Sequence, residues 1–193
     1  MLILGILVVI VIIALIWRYF SHLVNPTDTK VEGGINKSLI LYFSPAGKTK
    51  RLAHLVQQET SADIIEIEGV KEYSGDDKAR AFREWVTGAT PEVKNKLDNS
   101  DKYDIVYLAY PIWYDTAPMI MKQVIKKHNF SNKYVVPVVS LNKASQGSGR
   151  SIRLIRHHAP RAKVLPRLLL QDDGKDLQRI QEYLKQINMK YYR

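Results

Sequence analysis

The 193-residue chain has no cysteine, which removes disulfides, thiolate metal sites and redox thiols at one stroke. Acidic side chains are few: 19 Asp and Glu stand against 29 Lys and Arg, for a formal charge of +10. Metal-ligand spacing is missing. His22, His54 and His128 are scattered, and His157 and His158 are adjacent on an expected helix, so they point in different directions and form no i, i+4 pair. No metal site is expected. Lys and Arg are scattered rather than striped, and neither a helix-turn-helix nor an RNP pattern occurs, so nucleic acid is not the expected partner. No internal repeat or low-complexity tract is visible.

Against these absences stands the segment 38–53, SLILYFSPAGKTKRLA, in which an apolar run stops at a small-residue loop and a helix begins. Leu39, Ile40, Leu41, Tyr42 and Phe43 read as a strand buried on both faces, and Leu52, Leu55 and Val56 recur at helical spacing. Backbone amides at a helix start, together with the helix dipole, favour an anion in front of them. The candidate residues are Ser44, Ala46, Gly47, Lys48 and Thr49, where two hydroxyls and an ammonium strengthen the reading. A nucleotide-triphosphate loop would need glycine at position 42, where Tyr42 stands, and a dinucleotide fingerprint needs three glycines where this loop has Gly47 alone. An ordinary βα turn with an exposed lysine is the simpler alternative.

Residues 103–124, YDIVYLAYPIWYDTAPMIMKQV, repeat the arrangement with an aromatic loop. Ile105, Val106, Tyr107, Leu108, Ala109 and Tyr110 make a strand, and Thr116 is the expected N-cap with Pro118 in the first turn. Ala117, Ile120, Met121, Val124 and Ile125 then follow the spacing of a helix lying on a sheet. Trp113 and Tyr114 fall at the carboxyl end of a strand, where open α/β sheets bind ligands. Asp115 follows them and is expected to cap the helix or to lie near the ligand. The competing reading folds both rings back onto the core.

These residues resemble the flavodoxin family. SPAGKT is similar to the flavodoxin phosphate loop, commonly Ser/Thr-x-Thr-Gly-x-Thr, and AYPIWYDTAP to the loop that packs aromatic rings against the isoalloxazine of FMN. A third similarity lies at 140–152, SLNKASQGSGRSI, after an expected strand at 134–139. The resemblance covers roughly 38–191 and implies FMN as the cofactor. By that resemblance Ser44, Gly47, Lys48 and Thr49 would hold the phosphate, Pro111, Ile112, Trp113 and Tyr114 would line the flavin, and Gln146, Gly147 and Ser148 would face its other edge. Ala46 stands where the family commonly has threonine, which removes a hydroxyl but keeps the backbone amide. A charge at Asp115 would tune the flavin potential.

Residues 1–17 carry no charged side chain. As a helix they would span about 25 Å, and with Tyr19 and Phe20 they approach the ~30 Å hydrocarbon core if Arg18 snorkels. A cleaved signal peptide would need a basic region before the run and small residues after it, whereas Trp17, Tyr19 and Phe20 are bulky. Residues 1–20 are therefore expected to be one uncleaved transmembrane anchor. Arg18, Lys30 and Lys37 on its distal side put the rest of the chain in the cytoplasm, as a single-pass protein of the cell membrane. Residues 21–37, with Asn25-Pro26 and Gly33-Gly34, read as a tether, and 38–193 as one domain. That domain holds +9 of the charge, a basic surface attracted to anionic lipid.

The other expected strands are 63–68, 104–110 and 164–170. Helices are expected at 78–86, at 90–97 and around Leu177, Ile180, Leu184 and Ile187, the last capped by Asp172 and Asp173. This alternation predicts an α/β fold, a doubly wound five-stranded parallel sheet preceded by one transmembrane helix, and the resemblance implies the strand order 2-1-3-4-5. The expected function is electron transfer or flavin-dependent reduction, of quinones for example, with a redox partner protein or a small-molecule electron acceptor. No catalytic residue stands out, and both an electron carrier and an FMN-dependent oxidoreductase fit. The alternative is a flavin-less module of the same fold that acts as a scaffold at the membrane surface.

Overall fold

A computed structural model describes residues 12–13, 31, 37–73, 77–97, 100–141 and 148–187. The expected anchor at 1–20 and tether at 21–37 lie outside the described residues, apart from Ile12, Ile13, Val31 and Lys37. Among the described residues no helix is long and apolar enough to cross a membrane.

Six strands form one sheet: β1 (Ser38–Tyr42), β2 (Asp63–Glu66), β3 (Ile105–Pro111), β4 (Tyr134–Ser140), β5 (Lys163–Val164) and β6 (Leu168–Leu170). The helices are α1 (Lys48–Thr60), α2 (Lys78–Thr87), α3 (Met119–Lys127), α4 (Gly149–His158) and α5 (Asp176–Gln186). All strand pairs are parallel, in the order β2-β1-β3-β4-β5, with β6 also on β4. The doubly wound order expected from the resemblance is therefore present.

The three inner strands read as unbroken apolar runs because helices cover both their faces. On one face Leu39, Leu41, Val106, Leu108, Tyr110, Val135 and Val139 pack with Ile120, Met121, Val124 and Ile125 of α3 and Ile152 and Ile155 of α4. On the other, Ile40, Tyr42, Tyr107, Val136 and Val138 meet Leu52, Ala53 and Val56 of α1 and Ile180 and Leu184 of α5. Each such side chain removed from water contributes ~2 kcal/mol. Two strong layers thus fix where the carboxyl ends of β1 and β3 lie.

Four expectations need correction. The fifth strand is split. Leu165 still donates to the Val135 carbonyl (2.9 Å), but Pro137, two residues along β4 and facing the same way, has no N–H to offer, and neither has Pro166. The pairing slips by one residue between Val135↔Val164 and Val138↔Leu168, a bulge on the outer strand. Tyr183 of α5 donates its hydroxyl to the Pro166 carbonyl inside the gap.

Residues 90–97 are extended, not helical. Burial alternates along them, with Val93 and Leu97 turned inward and Glu92, Lys94 and Lys96 outward. They lie antiparallel to the chain after β2: Val70 donates to the Glu92 carbonyl (3.0 Å) and Lys94 to that of Glu68 (2.9 Å). The Asn95 side chain extends this ladder to Glu66 and Glu68.

Thr116 does not cap α3. Its backbone forms a two-way bridge with Trp113 (2.9 and 3.0 Å), and Pro118 stands at the helix entrance. The expected caps Asp172 and Asp173 make no bond to the amides of α5: Lys175 stands at its entrance with no side-chain cap, Asp173 accepts the Lys175 amide (3.1 Å), and Asp176, the first helical residue, turns back to accept the loop amides of Gln171 (2.9 Å) and Asp172 (2.7 Å). Asp172 pairs with Arg51 and Asp173 with Arg179, and of the residues expected to mark this helix Leu177 is exposed while Ile180, Leu184 and Ile187 are buried.

Candidate functional site

The loop after β1 enters α1 through Gly47, whose φ of 79° is left-handed. A Cβ there would meet nothing closer than 3.8 Å, so the backbone angle and not crowding calls for glycine. This turn aims the first amides of α1 outward, where they have no intrahelical acceptor. Ser44 Oγ accepts the Lys50 amide (2.9 Å), which leaves the amides of Lys48 and Thr49 at the helix start.

A cavity of ≈ 180 Å³ opens in front of that turn, lined by Ser44, Pro45, Ala46, Lys48, Thr49, Pro111, Trp113 and Ser140. It sits over the carboxyl ends of β1, β3 and β4, with Pro111 and Ser140 paired in register across its floor. Of the expected site residues, the structure brings Ser44, Ala46, Lys48, Thr49, Pro111 and Trp113 together there. Gly47 shapes the wall through its backbone.

Lys48 does more than line the cavity. Its Nζ donates to the carbonyls of Leu141 (2.6 Å) and Gln171 (2.7 Å), the first residues after β4 and β6. The ammonium therefore ties three sheet-edge loops together, where a direct charge contact with phosphate was expected.

The aromatic loop divides its two rings. Trp113 is half-buried, edge-on to Phe43 (5.5 Å between centroids, 87°) and close to Tyr73 (5.6 Å), so it rests on the core and still walls the cavity. Tyr73 is held in turn by a hydroxyl bond to Glu84 (2.6 Å) and by the Arg80 guanidinium over its ring (3.9 Å). The hydroxyl's pKa is raised, by burial first and then by the Glu84 carboxylate. Tyr114 turns the other way. It stacks on Trp85 (5.4 Å, 24°), meets Phe82 edge-on, and donates its hydroxyl to the Lys78 carbonyl (3.0 Å). The cause is the two-residue turn inside the Trp113–Thr116 bridge, in which Tyr114 and Asp115 have φ of 50° and 60°. That is the sign pattern of a type I′ turn, built here without glycine. Ile112 is buried in the core, and Asp115 is exposed at the turn tip and neither lines the cavity nor caps α3.

Ser148 is buried before α4, its carbonyl accepting the Ser151 amide and hydroxyl. Gln146 and Gly147 lie outside the described residues. Pro45 and Ser140 were not anticipated, although both stand inside the segments singled out by their similarity. Ser140 is legible as the polar end of an apolar strand.

The family model described as flavodoxin matches residues 37–187. No protein of curated function matches. Among solved structures, a protein of Bacteroides eggerthii described as a flavoprotein is 29% identical, with a TM-score of 0.70 over 80% of this chain and 99% of that one. A similarly described protein of Bacteroides uniformis is 26% identical, with a TM-score of 0.66 over 78% and 99%. The flavoprotein of Lactobacillus acidophilus solved in complex with FMN shares the fold at 19% identity, with a TM-score of 0.57 over 76% and 97%. Strand order, the left-handed entry to α1 and the family match over 37–187 agree: the chain belongs to the flavodoxin family.

Proposed function

We propose that this chain binds FMN non-covalently at the carboxyl ends of β1 and β3 and serves electron transfer or flavin-dependent reduction. The observation that carries the reading is the single cavity joining Ser44, Lys48 and Thr49 of the first loop to Pro111 and Trp113 of the aromatic loop, at the point where the strand order reverses. The donor set suits the cofactor: amides at a helix start and two hydroxyls for a phosphate, a proline and an indole for a flat ring. Ser44, Gly47 and Thr49 would hold the phosphate, and Trp113 would wall the ring. The bound flavin supplies the redox chemistry. This chain's residues bind it, orient it and shift the relative stability of its oxidation states. The apolar segment 1–20 supports a membrane tether with the domain on the cytoplasmic side, which would place a lipid-soluble acceptor such as a quinone within reach.

The test is titration of the full chain with FMN and riboflavin, followed by flavin fluorescence. Saturable quenching by FMN is expected, with Trp113→Ala weakening it about tenfold through loss of ring contact. A full chain that leaves micromolar FMN fluorescence unquenched would falsify the flavin reading and favour the scaffold.

A further inference from the structure

A second and larger cavity, ≈ 410 Å³, lies on the α2–α3–α4 side of the sheet. It is lined by Trp85 and Gly88 at the end of α2, Thr116, Met119 and Lys122 around the start of α3, and Arg150, Arg153, Leu154, His157 and His158 of α4. The α4 residues follow the i, i+3, i+4, i+7, i+8 pattern, so one helix face carries two guanidiniums and two imidazoles into the groove. Adjacent His157 and His158, expected to diverge, both reach it, their rings 4.7 Å apart and edge-on. Among the described residues no carboxylate lines this groove. The crowding of positive charge shows in His158, whose pKa is lowered by burial, then by His157, Lys122 and Lys126.

We infer that this groove is a ligand site distinct from the flavin cavity, one that takes a phosphate-bearing small molecule of about nucleotide size. Its volume falls in the range of small-molecule sites. Arginine forks match phosphate oxygens in pairs, and Lys122, held on the Gly88 carbonyl (3.1 Å), is positioned as a point charge on the floor. Trp85, Met119 and Leu154 give the apolar surface that a base or other flat group would cover. The Trp113–Thr116 bridge is a common wall, since Trp113 lines the first cavity and Thr116 the second. A ligand here therefore sits one hairpin away from the proposed flavin. The inference does not rest on the flavin, because the two cavities share no lining residue.

Isothermal titration of the full chain with ADP, pyrophosphate and adenosine, with and without FMN, tests it. ADP is expected to saturate in both conditions, pyrophosphate to bind more weakly, and adenosine to bind at least tenfold more weakly than ADP. The double variant Arg150→Gln/His157→Gln, both exposed positions, should lower ADP affinity about tenfold or more and leave FMN binding and the melting temperature unchanged. Absence of saturation by ADP and pyrophosphate up to about 5 mM would overturn the site. So would equal ADP binding by the double variant. Vesicles rich in phosphatidylglycerol supply the other source of phosphate: binding to them that the double variant loses, in a chain that ignores ADP, would assign the groove to lipid headgroups and end the nucleotide reading.

Discussion

At the scale of single residues, the least anticipated finding is what Lys48 does with its charge. Two carbonyls at 2.6 and 2.7 Å hold the ammonium, so at the proposed FMN site its contribution would be the position of the loops it joins. Lys48→Ala should then weaken FMN and riboflavin by similar factors, roughly tenfold each, since charge-assisted hydrogen bonds at a loop junction are worth about 1.5–3 kcal/mol. Parallel titrations check this, and a loss confined to FMN would return the ammonium to the phosphate. Trp113 was legible because a large ring at the carboxyl end of a strand needs a partner. Tyr114 was not. Its direction is set by a turn with φ of 50° and 60°, and such turns advertise themselves through Asn-Gly or Asp-Gly, whereas this one is built from Tyr114 and Asp115. At the proposed phosphate site Ala46 would need no hydroxyl, because the donors at the helix start are backbone amides and Ser44 already satisfies Lys50.

At the scale of elements, α2 is held by polar contacts more than by a buried stripe. Only Ala81 and Glu84 are buried along it. Glu84 accepts from Arg80 Nε (2.8 Å) and from Tyr73 (2.6 Å), with the Arg80 and Glu84 side chains 10% and 11% exposed. Glu84→Ala leaves the Arg80 guanidinium the Lys71 and Glu72 carbonyls and the more distant Asp77 carboxylate (3.9 Å) but strips the partner from the Tyr73 hydroxyl, and should cost ~2 kcal/mol, read as a drop in denaturant midpoint. Tyr73 loosens with it, so Trp113 should report the change in its fluorescence. The start of α5 gives a pH prediction. Arg179, and after it the Lys175 amide, hold the Asp173 carboxyl down to about 2, from an ordinary 3.8. A depressed carboxylate stabilises the fold above its unfolded pKa and loses that contribution as pH falls through the folded one. Melting curves of the wild type and Asp173→Asn should therefore differ at pH ~5 and converge by about pH 2. A gap that persists at the acid end would contradict the ion pair. The inner strands and covering helices were readable because apolar runs and helical stripes carry their own period. The outer features were not, because 90–97 alternates inward and outward over few residues, and the break in the fifth strand depends on Pro137 in a different strand, a partner that local pattern cannot supply.

At the scale of the whole molecule, the positive charge that seemed scattered along the sequence converges between helices. Arg150, Arg153, His157 and His158 from α4 meet Lys122 of α3, and Lys126 of the same helix acts on His158 from nearby. These neighbours and burial keep His158 below its ordinary pKa, so it is neutral near pH 7 and an anion in the groove would favour its cation. Calorimetry of the wild type and His158→Gln side by side, which cancels the titration of ADP itself, should then show greater proton uptake on binding in the wild type and a more favourable change of ADP affinity on acidification. Equal pH dependence and equal proton uptake in the two proteins would refute the assignment of His158.

The fastening of Lys48 has a temporal side. Its two acceptors lie 93 and 123 residues further along the chain. During synthesis the first loop emerges early, but it cannot take its final shape until Leu141 and then Gln171 have left the ribosome and their strands have joined the sheet. At the proposed site, cofactor capture would in this way be contingent on a finished chain, and stalled or prematurely terminated copies are expected to leave the cell's pool of free FMN untouched.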